Sequence, residues 1–167
     1  TIFLQGSPVL DEINGILFGR LSGIVAHHIP SYLKNNNLPS FKTNSIEDWE
    51  EKINEICNET INENMTTIGG IPSWVQMYFE TLLKKSNKKN ITKLFKGLSL
   101  YIYGGVNFYP YEKIFNKLLG KNINTIEYYP ASEGFFAYQN SQKDKSLLLQ
   151  YDSSIFYEFI KTNEFES

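Results

Sequence analysis

Ser132 and Glu133 stand side by side in the segment NTIEYYPASEGFFAYQ, residues 124–139. A serine hydroxyl can hydrogen-bond a phosphate or oxyanion oxygen. A carboxylate is the hard oxygen ligand that Mg²⁺ takes alongside substrate phosphates. An apolar, β-prone run over 126–129 precedes the pair and halts at Pro130, and Gly134 and two phenylalanines come after it. Tyr128, Tyr129 and Phe135 offer rings that can stack on a flat base. Two other turns have a related character, Gly69-Gly70 and Gly104-Gly105, and glycines let a backbone come close to a flat or charged ligand. Together these residues describe a nucleotide site with a metal. The same residues also read as a strand-ending turn, with Ser132 capping the next element and Glu133 in solvent; residue types alone do not separate the two readings.

Other chemistries find less support. A hydrolase nucleophile elbow, Gly-x-Ser-x-Gly, fails at Pro130, and no histidine comes after Ser132 in the chain although that fold's residue order requires one. The pair His27-His28 has no cysteine or carboxylate at ligand spacing, and adjacent side chains on a strand would face opposite ways. The single cysteine, Cys57, excludes a disulfide framework or a cysteine-rich zinc site; beside Ile53 and Ile56 it reads as a small core residue. Asn58, Asn64 and Asn90 fit the Asn-x-Ser/Thr pattern, as an asparagine-rich chain does by chance, so glycosylation is discounted.

The elements that must position the glycine turns and the Ser-Glu pair share one pattern. MTTIGGIPSWVQMYFETLLKK gives a short β-prone run, a Gly-Gly turn, and a helix with Pro72 in its first turn, where proline is tolerated. GLSLYIYGGVNFYPYEKIFNKLLG gives a strand over 98–103, Gly104-Gly105, and a helix from Pro110 to Gly120, glycine suiting the left-handed position after a helix end. The third occurrence is the strand before Pro-Ala-Ser-Glu-Gly. Strand-helix-strand-helix-strand with short connections predicts a parallel sheet with right-handed crossovers. In such a sheet the turns at the carboxyl edge form the ligand crevice, so all three turns are expected at one place.

Around this α/β core of βαβαβ type, over 44–138, residues 1–43 read as a β and loop lead-in without helical spacing. Residues 139–167 read as C-terminal β segments joined by an Asp-Ser-Ser turn. Residues 44–62 read as a helix flanking the core, with Ser45 and Asp48 resembling a capping box. Ile46, Trp49, Ile53, Ile56, Cys57 and Ile61 form its apolar stripe, and Glu47, Glu50, Glu51 and Lys52 its solvated face. No linker divides the chain.

With 167 residues the chain suits one domain or a large piece of one, and its 12 Phe and 11 Tyr supply ample core material. The net charge of −2 leaves no basic face for phosphate backbones, which argues against nucleic acid as a partner. No apolar run reaches the roughly 18 residues a membrane-spanning helix requires, and no signal peptide is visible, so no membrane partner and a cytoplasmic location are expected.

YYPASEGFFAYQ, together with GGIPSWV, the Gly-Gly of YIYGGVNFYPYE, IFYEFI near the end and DWEEKINEI upstream, resembles the bacterial branch of the auxin-responsive acyl acid amido synthetase family. That family belongs to the adenylate-forming superfamily, and the likeness runs from about residue 45 to 160. The resemblance implies that Tyr129 contacts the adenine, Ser132 the AMP phosphate or the substrate carboxylate, and Glu133 the Mg²⁺. Ser132 and Glu133 would then be the catalytic pair, and Gly104 and Gly105 would pass beside the adenosine. Residues 71–75, with Ile71, Trp74 and Val75, would line the acyl pocket. A motif position often held by glycine is Pro130 here. The implied reaction consumes ATP and joins a carboxylic acid to an amine, typically an amino acid. The family's phosphate loop, its Tyr-Arg-x-Gly-Asp segment and its C-terminal lysine domain have no counterpart in the chain, so the chain is expected to be a central fragment of the large N-terminal domain, inactive alone. An acyl- or aryl-CoA ligase of the same superfamily, and a non-catalytic binding domain that keeps the sheet, are the alternatives.

Overall fold

A computed structural model describes residues 1–34 and 36–165. The chain is a mixed α/β structure around a six-stranded sheet. Its strands are β1 (Ile2–Phe3), β4 (Thr67–Gly69), β5 (Leu100–Gly104), β6 (Asn124–Ala131), β7 (Gly134–Tyr138) and β8 (Leu148–Leu149), in that spatial order. The first four are mutually parallel, and β7 and β8 are added antiparallel. A separate hairpin, β2 (Asp11–Ile13) with β3 (Ile16–Phe18), turns at Asn14-Gly15.

The two expected crossovers are present. α5 (Pro72–Ser86) and the short α6 (Ile91–Leu94) join β4 to β5, and α7 (Tyr109–Leu119) joins β5 to β6. α5 starts with Pro72 and stops at Asn87, whose φ of 51° is left-handed; α7 stops at Gly120 with φ 77°. Because β4, β5 and β6 lie in sequence order, the two helices share one face of the sheet, and the Phe79 and Phe115 rings join them at 5.8 Å. Under them Ile68, Tyr101 and Tyr103 point up from the strands. Tyr101 stacks on Phe115 at 5.1 Å, and its hydroxyl donates to the Gly70 carbonyl at 3.1 Å. Burial pushes the Tyr101 phenol far above its ordinary pKa. α4 (Trp49–Thr60) lies beside α5, and the buried Tyr78 hydroxyl donates to Thr60 Oγ1 at 2.7 Å, which itself donates to the Ile56 carbonyl.

Several expectations need correction. The lead-in is not only strand and loop, since α1 (Leu21–His27), α2 (Ser31–Lys34) and α3 (Phe41–Asn44) occupy it. α1 does carry Leu21, Ile24 and Val25 at helical spacing, but it leaves them exposed and docks through Gly23, its one buried residue. The expected helix over 44–62 is two helices. Asp48, not Ser45, is the N-cap of α4, accepting from the Glu51 backbone N–H at 2.8 Å, while the Ser45 hydroxyl donates back to the Phe41 carbonyl. Lys52, expected on the solvated face, is only 3% exposed. β6 runs on through Pro130 to Ala131; a register irregularity between Tyr129 and Pro130 absorbs the residue that has no N–H to give. Of the C-terminal β segments only β8 forms among the described residues, and a short helix, α8 (Thr162–Phe165), lies beyond it. Ile155 and Tyr157 instead pack back on β7, with the Tyr157 ring 6.2 Å from Phe136. Glu166 and Ser167 of that expected region lie outside the described residues. His27 and His28 sit at the end of α1, not on a strand, and His27 Nε2 lies 3.0 Å from the Pro8 carbonyl. Cys57 is fully buried, as expected.

Candidate functional site

The parallel strands all point their carboxyl ends to one edge, and the three turns singled out leave from it. Gly69 pairs with Ile102, and Gly104 pairs with Tyr128. Gly70 therefore borders Gly104-Gly105, and the Gly105 turn reaches the Ile71 methyl that opens α5. Ser132 and Glu133 are the two-residue tip of the β6–β7 hairpin, Ala131 and Gly134 closing it. Ser132 is four residues past the Gly104 level, so the tip stands out beyond the rim by roughly 13 Å of strand.

The two central glycines are required for different reasons. Gly104 is buried, and a Cβ there would sit 2.3 Å from the Tyr128 carbonyl oxygen. Close pairing of β5 with β6 alone therefore demands glycine. Gly105 is exposed, has φ 81°, and meets only Ile71 Cγ2, at 3.6 Å from a built Cβ. Its requirement is conformational, and open space lies beside it.

Tyr129, beside this pair on β6, is 54% exposed, with its ring 5.4 Å from Phe136. Ser132 and Glu133 are both exposed and have no side-chain hydrogen bond among the described residues. No group of three His, Cys, Asp or Glu side chains suited to a metal occurs among the described residues. A lone exposed carboxylate nevertheless fits the way Mg²⁺ is usually held, by one or two carboxylates plus phosphate and water.

At the β1 end of the same edge lies a cavity of about 490 Å³ between the β2–β3 hairpin, α4 and α5. Trp49 and Trp74 line it with ring centroids 4.8 Å apart. Arg20 and Lys52 supply positive charge, Asp11 and Glu47 negative. No ion pair within 4 Å joins either cation to a carboxylate among the described residues. Lys52 Nζ donates instead to the Asn44 carbonyl at 2.5 Å. Burial, then the nearby Arg20 charge, holds the Lys52 ammonium below its usual pKa. The Trp49 indole N–H is buried without an acceptor.

The three residues assigned to an acyl pocket divide. Trp74 lines this cavity and Ile71 joins it to the Gly105 turn, since the Trp74 N–H donates to the Ile71 carbonyl at 3.1 Å. Val75 is fully buried in the core and does not line the cavity. Sequence reading missed Arg20, Trp49 and Lys52 as a set. The signal for Lys52 was present: it is three residues after Trp49 and four before Ile56, hence on the apolar stripe itself. Arg20, the only arginine in the chain, gave no such sign, because the β2–β3 hairpin that brings it over Gly6 has no long-range trace in the sequence.

A polar cavity of about 480 Å³ opens between α7 and the loop after β7. Tyr103 donates to Glu127 Oε2 there at 3.3 Å, and burial, with the Glu127 charge, pushes its phenol up to about 12. Gln139 and Gln142 side chains complete the β6 edge by bonding the backbone of Glu127 and Thr125. Ser132, Glu133, Gly104 and Gly105 line neither cavity.

No family model matches the chain, and no curated protein matches it. Among the described residues no helix is long and apolar enough to cross a membrane.

Proposed function

We propose that this chain carries the nucleotide rim and part of the acid pocket of an ATP-dependent ligase that joins a carboxylic acid to an amine, typically an amino acid, in the cytoplasm. The observation that carries the reading is that Gly70, Gly104-Gly105 and the β6–β7 tip all leave one carboxyl edge, the tip reaching roughly 13 Å further out, with an indole-lined cavity at the β1 end of that edge whose two cations form no ion pair among the described residues. The motif resemblance to the auxin-responsive acyl acid amido synthetases supports it and extends it to catalysis.

The reaction proceeds in two steps. A carboxylate oxygen attacks the α-phosphorus of ATP, and pyrophosphate leaves. The amine then attacks the acyl carbon of the adenylate, AMP leaves, and the amine nitrogen loses a proton. Mg²⁺, when bound, neutralises phosphate charge. Glu133 would hold it, and Ser132 would donate to an adenylate phosphate oxygen. Tyr129 packs against the adenine, and the open side of Gly105 admits the adenosine. Trp74 and Ile71 contact the body of the acid. Catalysis of this kind is positioning and charge stabilisation. On this reading catalysis also needs a phosphate loop, a ribose-binding Asp and a lysine domain, none of which these residues supply.

Glu133→Gln in the complete polypeptide tests the assignment. Acid-dependent pyrophosphate release should fall about a hundredfold, as loss of one preorganised group of roughly 3 kcal/mol implies. Release at the wild-type rate with unchanged metal dependence removes Glu133 from the site.

A further inference from the structure

We propose that Lys52, together with Arg20, grips the carboxylate of the acid in the cavity lined by Trp49 and Trp74. The inference rests on the ligase reading for the identity of the ligand, but its chemistry stands on the cavity alone. A buried ammonium is costly unless paired. Lys52, on α4, is buried, and among the described residues its one hydrogen bond goes to a neutral carbonyl, that of Asn44. The charged groups that face it are Arg20 from the loop before α1, Asp11 from β2 and Glu47 from the turn before α4; neither carboxylate lies within 4 Å of it. From α5 the cavity lining adds an indole, Trp74, and no charge.

The groups around Lys52 therefore disfavour its proton, through burial first and the Arg20 charge second. A carboxylate between Arg20 and Lys52 reverses both effects. It cancels the guanidinium charge and gives the ammonium a counter-ion, and a charge-assisted hydrogen bond is among the stronger ones available. Its flat or apolar body lies against the two indoles, which tolerate a ring at stacking distance. Lys52 is thus a positioning residue: it selects the ionised acid over a neutral analogue and makes affinity fall as pH rises.

Benzoate is the probe, with benzamide as its neutral counterpart, titrated calorimetrically into the protein between pH 7 and 10 in buffers of differing ionisation enthalpy. The expected result is proton uptake on benzoate binding, affinity falling about tenfold or more towards pH 10, and benzamide binding at least tenfold weaker. Lys52→Met should bind benzoate about tenfold more weakly or worse, with the linked uptake gone. Lys52→Arg, which keeps the charge but does not titrate in this range, should restore most of the affinity without restoring the uptake. Circular dichroism of each variant confirms folding. Equal benzoate affinity in the wild type and Lys52→Met, uptake that survives Lys52→Arg, or no benzoate binding overturns the proposal. Benzoate binding with Lys52-linked uptake, in a complete polypeptide that never releases pyrophosphate, keeps the anion site and removes the ligase reading. Acid-dependent release that is indifferent to Lys52→Met does the reverse.

Discussion

Replacing Gly104 by alanine separates the architectural role of the glycine turn from its proposed ligand role. The added methyl would lie 2.3 Å from the Tyr128 carbonyl oxygen and 3.4 Å from Tyr128 Cδ1. The first is about 1 Å inside ordinary contact, and its partner is backbone, which no rotamer change can move aside. β5 must shift against β6 at a fully paired position. Overpacking of this kind costs about 1–3 kcal/mol, and the loss of glycine's freedom in the unfolded chain offsets about 0.4–1 kcal/mol of that. The net destabilisation is about 1–2 kcal/mol. At this chain length that lowers Tm by roughly 2–8 °C. Thermal unfolding monitored by circular dichroism, with a urea midpoint at 25 °C as a second measure, reads it directly. A Tm equal to wild type would refute the close approach of Tyr128. Loss of nucleotide binding in Gly104→Ala would accordingly report strand pairing. Gly105→Ala, which adds its methyl to open space, is the variant that reports ligand contact, at about 1–2 kcal/mol for holding alanine in the left-handed region.

Two further perturbations test the packing and electrostatics behind the rim. Thr60→Val strands the buried Tyr78 hydroxyl and should cost about 1–3 kcal/mol, whereas Tyr78→Phe leaves Thr60 bonded to the Ile56 carbonyl and should cost about 1 kcal/mol; equal costs by urea unfolding would contradict the donor order. Burial alone would raise the Glu59 pKa, but hydrogen bonds from the Ser40 and Thr43 hydroxyls and the Ser40 N–H outweigh it and hold the carboxyl below its usual value. A carboxylate depressed in the folded state stabilises above its unfolded pKa of about 4.3 and loses that contribution as pH falls through the folded value. The stability advantage of wild type over Glu59→Gln should therefore be full at pH 6 and shrink below about pH 4.3; an advantage that does not change with pH would contradict the clamp.

The parallel core was legible because each of its elements carries a local signal. Proline at the start of α5, glycine after α7, and apolar spacing at 111, 114, 115 and 118 mark the helices without reference to the rest of the chain. Short right-handed connections then set the order of β4, β5 and β6. The features that could not be read depend on partners distant in sequence. α1 docks through Gly23 and leaves Leu21, Ile24 and Val25 exposed, so its short apolar spacing marks no buried face. The segment over 155–160 has strand-like residues, yet it meets β7 through side chains and pairs its backbone with no strand among the described residues. Pro130 looked like a strand end because proline has no N–H, and the β6–β7 register irregularity accommodates it. Of the candidate site, the glycine turns and the hairpin tip were visible as residue types. The Arg20–Lys52 cavity was not, since it needs the β2–β3 hairpin, α4 and α5 to converge.

The central claim is that one carboxyl edge, from the Gly104-Gly105 turn to the β6–β7 tip, receives a nucleotide. Hydrogen–deuterium exchange of the protein with and without ATP and Mg²⁺ tests it most directly. The account predicts slowed exchange confined to residues 103–106 and 128–134, and its loss in Gly105→Ala. Protection that appears elsewhere, or exchange unchanged at both segments under saturating nucleotide, would contradict it.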